Sequence, residues 1–403
     1  MEDNVNIFSK TLKRIVFYHP HFMQPGGAST YVYEMAKRFH QTGLKIEIVT
    51  INANKEHLSE LEKFTTIKKI GSPLSSSFLF WILFPYWCAR AIWLAKKEKE
   101  PTIYFAQVFP ANWWGFFHKL IFKKDLVVWM CQEPSAFIHS ERWIAAVNSP
   151  VKRTLLITLR PLLSLIDKWL AEKVDHIFVN SFFGKNYALS IYKNIPPEKI
   201  EVTYLGVDHS IFKPDNSAKP PSIKRKQIIT VGRLTKFKNV DRIIIALAKL
   251  DLTVRPRLAI VGEGEEKNEL IKLTSDLNLT DYVFFHGIIS QDRLRQELNN
   301  SVALILASEN EPFGLVAVEA MACGTPVIAV KNGGPAETVI DGNSGILIPN
   351  ATPDTLASAI EKILLNSLEQ LFRESAIKRA AEFNWERTAL QTLNRFTMLW
   401  ETT

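Results

Sequence analysis

The sequence predicts an α/β protein of two doubly wound, Rossmann-like domains, and three observations carry that expectation. Apolar β-branched runs alternate with longer stretches of helical period from one end to the other, the pattern of parallel βαβ units. The 403 residues exceed what one core holds at roughly 100 to 200 residues per domain. The alternation breaks at residues 206–226, where three prolines, polar residues and a basic run read as a linker.

Strands are expected at residues 14–19, 45–50, 102–109, 125–130, 175–180 and 199–205, each an apolar run of strand length. Residues 29–43, between the first two, have helical period and stop at Gly43, a residue suited to a helix end. After the linker, strands are expected at 227–232, 257–262, 283–287, 303–308, 325–330 and 345–349. The boundary is placed near residue 212, giving an N-terminal domain of residues 1–212 and a C-terminal domain of residues 213–385.

Composition narrows the class. With 47% hydrophobic and 22% charged residues, disorder, collagen-like repetition and a polytopic membrane protein are disfavoured. Cys88, Cys131 and Cys323 form no CxxC pair, so neither a disulfide framework nor a zinc site is expected, and a reducing, cytoplasmic setting is the default. The first residues carry charge without an apolar run, so no secretory signal is expected. Residues 1–210 hold 26 Lys and Arg against 18 Asp and Glu, whereas residues 211–403 hold 23 of each, so the whole +8 net charge lies in the first half. That basic, Trp-rich half points to an anionic partner such as phospholipid headgroups, nucleic acid or a phosphorylated substrate. Residues 78–95 are apolar but interrupted by Pro85 and Arg90 and followed by Lys96, Lys97 and Lys99. A buried or membrane-surface helix is expected there, not a spanning one.

Chemistry concentrates in residues 307–349, where six of the 17 glycines lie between Gly314 and Gly345. A strand ends at Ser308 and Pro312 suits a first helical position, so the N–H groups of Phe313, Gly314 and Leu315 are expected to form an anion site. Beyond the carboxyl end of a parallel strand is where this architecture binds phosphates. Glu311 precedes the helix and Glu319 is placed about two turns inside it, on the order of 9 to 12 Å away along the axis. That gap suits the two ends of one hydroxyl-bearing ligand. Arg233 and Lys238, in the loop after the strand at 227–232, are expected to converge on a diphosphate. Gly26 and Gly27, ahead of a helix with Ser29 or Thr30 as cap, let bare amides face a ligand. The run GEGEEK at 262–267 starts like a dinucleotide fingerprint but ends in Lys267, so that reading is rejected. No P-loop, HExxH, GxSxG or Asp-x-Asp pair occurs, so leaving-group charge is expected to be met by Arg, Lys and helix dipoles without a metal.

The order and wording of GG (26–27), NSFFGKN (180–186), YLGVD (204–208), VGRLTKFKN (231–239), IVGEGEE (260–266), EPFGLVAVEAMACGTPVIA (311–329) and GGPAETVIDGNSGILIP (333–349) resemble the retaining GT-B glycosyltransferases of family four. The resemblance covers nearly the whole chain and is most specific at Glu311 and Glu319, with seven residues between them. It implies two Rossmann-like domains facing a cleft, the C-terminal one for a nucleotide sugar and the N-terminal one for the acceptor. It implies that a last helix, in residues 386–403, crosses back onto the N-terminal domain. By position, Glu311 would hold donor-sugar hydroxyls, Glu319 the ribose hydroxyls, and Arg233 with Lys238 the diphosphate. Gly262 joins the donor-binding residues, and Gly26 and Gly27 would lie near the diphosphate or acceptor. A UDP-, GDP- or ADP-sugar donor follows, with no cofactor and no metal.

One departure falls after the strand at 125–130, where many relatives carry His before an acidic residue and Pro, and this chain has Gln132 and Glu133. Gln hydrogen-bonds a sugar hydroxyl but cannot be protonated, so the expectation is that Gln132 keeps the contact, as an amide both donates and accepts, with Glu133 as the alternative for an acid-base or charge role. The expectation is a retaining hexosyltransferase, of mannose or glucose type, acting on a lipid-linked or growing glycan at the cytoplasmic membrane face. A nucleotide-sugar epimerase or hydrolase of the same fold is the alternative. No nucleic-acid partner is expected, since binding alone leaves the donor residues unexplained.

Overall fold

The structure, a computed structural model, describes residues 12–22, 26–53, 59–71, 83–145, 147, 149–215 and 227–402. The chain forms two compact units, Met1–Tyr204 with Trp385–Thr403, and Leu205–Asn384. The cut lies ahead of residue 212 because the Val207 N–H bonds the Phe383 carbonyl at 3.2 Å, drawing the chain from Leu205 onward into the second unit. Residues 216–226 of the expected linker lie outside the described residues.

The first unit is built on β1 (Arg14–Tyr18), β3 (Lys45–Thr50), β5 (Thr66–Lys69), β6 (Thr102–Ala106), β7 (Leu126–Cys131), β8 (His176–Val179) and β9 (Ile200–Val202), in the order β5-β3-β1-β6-β7-β8-β9. All neighbours pair parallel. A small ribbon, β2 (His21–Phe22) with β4 (Asn52–Ala53), lies outside this sheet. Burial on both faces explains the unbroken apolar runs, and Arg14, which starts β1, is the exception that needs partners. Its guanidinium is fully buried and donates to Glu47 at 3.2 Å and Thr102 at 2.9 Å, while Lys68 reaches Glu47 at 2.7 Å. The expected strand at 102–109 stops at Ala106, shortly before Pro110, which has no N–H to extend a ladder. β5, with sequence TIKK, has no apolar run and owes its conformation to the open edge of β3.

The helix Trp385–Glu401 belongs to this unit and packs on the helix Gly27–Gln41. Glu201 on β9 accepts from Arg395 at 2.6 Å and Gln391 at 2.8 Å. Burial opposes its ionisation, but His176, Gln391 and Arg395 outweigh that and bring its carboxyl down to about 2.

The second unit carries β10 (Gln227–Val231), β11 (Arg257–Val261), β12 (Val283–Gly287), β13 (Ser301–Leu306), β14 (Val327–Val330) and β15 (Gly345–Ile348), in the order β12-β11-β10-β13-β14-β15. β13 therefore begins and ends two residues before the expected 303–308. In each sheet the strand order reverses once, between β1 and β6 and between β10 and β13. Loops leaving two such neighbours diverge, and the crevice between them at the carboxyl ends is where open α/β sheets take ligands.

Candidate active site

The second unit's switch point is formed by residues 232–239 after β10 and 307–314 after β13. Lys238, ending a short 3-10 turn, donates to Glu311 at 2.6 Å, and the Ser308 hydroxyl donates to the same carboxylate oxygen at 2.9 Å. The Asn239 side chain spans to the Ala307 carbonyl at 2.8 Å, tying the two loops together. Gly232, Arg233, Lys238 and Ser308 line one recess. Arg233 is largely exposed, and among the described residues its one ion pair is with Glu265 at 3.9 Å, so its guanidinium is available to an anion. The structure thus brings Arg233, Lys238 and Glu311 into one place, and adds Ser308 and Asn239, which the sequence presented only as a strand end and part of a motif.

Two expectations are corrected. Pro312 is not a first helical residue: the helix is Leu315–Ala322, and Gly314 caps it in a left-handed conformation, φ 78°. A side chain there would be strained, and the turn lets Phe313 swing into the core, 2% exposed, with its ring 6.0 Å from that of Phe383. Of the three amides expected at the anion site, only Leu315 lies in the first helical turn, where N–H groups lack intrahelical acceptors. Glu311 is consequently outside the helix, and Glu319 is one turn inside it, so their separation is not a helical rise. Gly262 also has a structural reason of its own: a Cβ there would sit 1.9 Å from the Gly232 carbonyl oxygen. The loops after β10 and β11 meet at that point, with the Gly232 N–H on Val261 at 3.0 Å and the Leu234 N–H on Glu263 at 3.0 Å.

Glu319 keeps some exposed surface but lies deep among protein atoms, and this burial raises its carboxyl to about 7. A carboxylate in that position is poorly solvated and gains from any ligand hydroxyl that donates to it.

In the first unit, the helix Gly27–Gln41 starts directly at Gly27, capped by Gly26 without a side-chain bond, so neither Ser29 nor Thr30 is the cap. A Cβ on Gly26 or Gly27 would meet nothing within 4 Å. Among the described residues the packing leaves room for larger side chains at both positions. Residues 23–25 of that loop lie outside the described residues. At the carboxyl ends of β1, β6 and β7 stand His19, Gln107 and Gln132, each with a buried polar atom, Nδ1, Oε1 and Nε2 respectively, that lacks a partner among the described residues. Burial pushes His19 down to about 3, so it is neutral. Sequence reading found Gln132 alone, because the other two belong to no motif. Glu133 is engaged by the Trp143 indole at 3.1 Å. Below it, buried Asp167 accepts from Trp113 at 2.6 Å, Ser135 at 2.7 Å, His139 at 2.8 Å and Tyr192 at 2.8 Å, fixing the segment that follows Gln132.

Among the described residues no helix is long and apolar enough to cross a membrane, and no group of three or more His, Cys, Asp or Glu could hold a metal ion. Of residues 78–95, those at 78–82 lie outside the described residues, and Phe84–Ala95 is a helix buried on Phe84, Trp87, Cys88 and Ala91.

Two family descriptions match, Glycosyltransferase Family 4 over residues 25–211 and Glycosyl transferases group 1 over residues 212–383. A D-inositol 3-phosphate glycosyltransferase of Frankia alni is 25% identical over 399 residues, covering 92% of this chain and 94% of the relative. Among solved structures, sucrose-phosphate synthase from Thermosynechococcus elongatus matches with TM-score 0.79 and 22% identity over 97% of this chain and 100% of that one. HepE of Anabaena, in complex with UDP and glucose, matches with TM-score 0.75 and 19% identity over 96% and 100%. Two parallel sheets, each with one switch point, and these matches define a glycosyltransferase of GT-B fold. The chain belongs to glycosyltransferase family four.

Proposed function

We propose that the protein is a retaining hexosyltransferase that uses a nucleoside-diphosphate hexose, without a metal, to extend a lipid-linked or growing glycan at the cytoplasmic membrane face. The observation that carries this reading is the Lys238–Glu311 pair, set beside Arg233 at the switch point of the second unit. Arg233, Lys238 and the helix start at Leu315 take the diphosphate, Glu311 takes sugar hydroxyls and Glu319 the ribose hydroxyls. The acceptor oxygen bonds to the anomeric carbon as its bond to the diphosphate breaks on the same face, and the acceptor proton passes to the departing phosphate oxygen. Cationic side chains and the helix start stabilise the charge that develops there. Gln132, whose Nε2 lacks a partner among the described residues, is the hydrogen-bonding group offered to the acceptor.

The relatives' name favours a second acceptor class, a phosphorylated cyclic polyol, which suits the basic first half. One experiment separates these readings: incubate purified protein with UDP-, GDP- and ADP-hexoses, adding either inositol phosphate or a membrane lipid extract, and identify products by mass. A glycosylated product that disappears in Glu311→Gln and Arg233→Ala supports transfer and identifies the acceptor. Free sugar or an epimer with no glycoside under any condition would replace it with the hydrolase or epimerase.

A further inference from the structure

Among the described residues, nothing covers one face of the helix Pro150–Ala171 in the first unit. Val151, Leu155, Leu162, Leu165 and Trp169 recur at the helical repeat, at steps of 4, 7, 3 and 4 residues, and all are exposed, from 42% to 79%. From Arg160 onward its opposite face is anchored, with Asp167, Leu170 and Ala171 buried and Arg160 held by Glu141 and the Ile138 carbonyl, whereas nearer the start Arg153 and Ile157, away from the stripe, are exposed as well. Lys152 and Lys168 flank the apolar stripe, about 100° to either side of its midline, and among the described residues neither makes an ion pair. Lys173 lies over the Trp169 ring at 5.1 Å, a pairing of indole and ammonium suited to the headgroup level. This helix packs beside Ala111–Ile121, which in turn packs beside Phe84–Ala95, where Tyr86 and Trp93 are also exposed.

We infer that the exposed face of residues 150–171 is an interfacial helix that docks the first unit on an anionic lipid surface. A contiguous apolar stripe left in water costs free energy, and an occupant that covers it while meeting Lys152 and Lys168 must be apolar inside and negatively charged at its rim. A bilayer containing anionic headgroups has that layering. A second copy of the same face does not, because the one acidic residue of this helix, Asp167, is buried and brings no negative charge to Lys152 or Lys168. The location differs from the one the sequence suggested: hydropathy singles out 78–95, but the helix there turns most of its apolar side chains inward.

The proposal deepens the membrane-face reading, and its test does not use transfer, so the two fail separately. Protein is floated with phosphatidylcholine vesicles, with and without about 30% phosphatidylglycerol, at about 0.15 M salt. Binding to the anionic vesicles is expected, weakened about tenfold in Leu162→Glu/Leu165→Glu and also reduced in Lys152→Glu/Lys168→Glu, with Arg233→Ala binding as wild type. All four substituted positions lie outside the core, so the variants should keep the wild-type melting temperature. The inference is overturned if wild type ignores anionic vesicles, or if both double variants bind as tightly as wild type. It is equally overturned if light scattering finds a dimer that the Leu variant splits while vesicles are not bound.

Discussion

Replacing Glu319 with Gln is expected to stabilise the protein at pH 8 and leave it nearly unchanged at pH 5. The carboxyl stands at about 7 instead of its ordinary 4.5, and burial is the cause. Between those two values the native chain holds a proton that the unfolded chain has released, so stability falls as pH rises through this window and the loss is complete above it. The interval corresponds to about 3 kcal/mol, which residual exposure of the side chain reduces to about 1–2 kcal/mol. Gln cannot ionise and escapes that loss, which for a unit of this size is about 3–6 °C in melting midpoint. The assay is thermal unfolding of both proteins by circular dichroism from pH 5 to 8, repeated with UDP, GDP and ADP. A wild-type midpoint that stays flat, or a variant that melts lower at pH 8, would refute the reasoning by showing that the carboxylate has a partner that offsets its burial. If the same carboxylate receives ribose hydroxyls, a nucleotide that raises the wild-type midpoint at pH 8 should leave the variant where it was.

Arg14→Ala leaves buried Glu47 with Lys68 at 2.7 Å and Lys45 at 3.9 Å and should cost about 3–5 kcal/mol in urea unfolding; a loss under about 1 kcal/mol would mean the network is dispensable. Glu201→Gln should loosen the helix Trp385–Glu401, read as faster proteolysis near residue 385 at pH 7. Because the Glu201 carboxyl is depressed to about 2, its stabilisation is present above the ordinary 4.5 and is lost as pH falls toward 2, so wild type and variant should converge in acid. Arg233→Ala should weaken nucleoside diphosphate binding about tenfold or more in calorimetry without lowering the melting midpoint, since its side chain is exposed; equal affinity would remove it from the site.

Much of this protein could be read from its residues in order. The strands at Lys45–Thr50 and Val283–Gly287 match expectation to the residue, because periodicity and β-branching are local properties that survive without knowledge of partners. The motifs around Arg233, Lys238 and Glu311 were legible for a related reason: a topological switch point recruits the loops that follow particular strands, and each loop is a short contiguous stretch. Tertiary structure decided the rest. β5 exists because β3 offers an edge, and TIKK carries no signal of it. Gly314 takes a left-handed turn so that Phe313 can reach Phe383, seventy residues on, and that distant contact moves the helix start from Pro312 to Leu315. His19, Gln107 and Gln132 are separated by about ninety and twenty-five residues along the chain, yet adjacent strands set them at one end of a sheet. The apolar stripe of residues 150–171 looks like any amphipathic helix until the fold shows which face it leaves bare. Local pattern determines which elements form, whereas burial depends on what the folded chain brings alongside them, and only the tertiary structure contains that information.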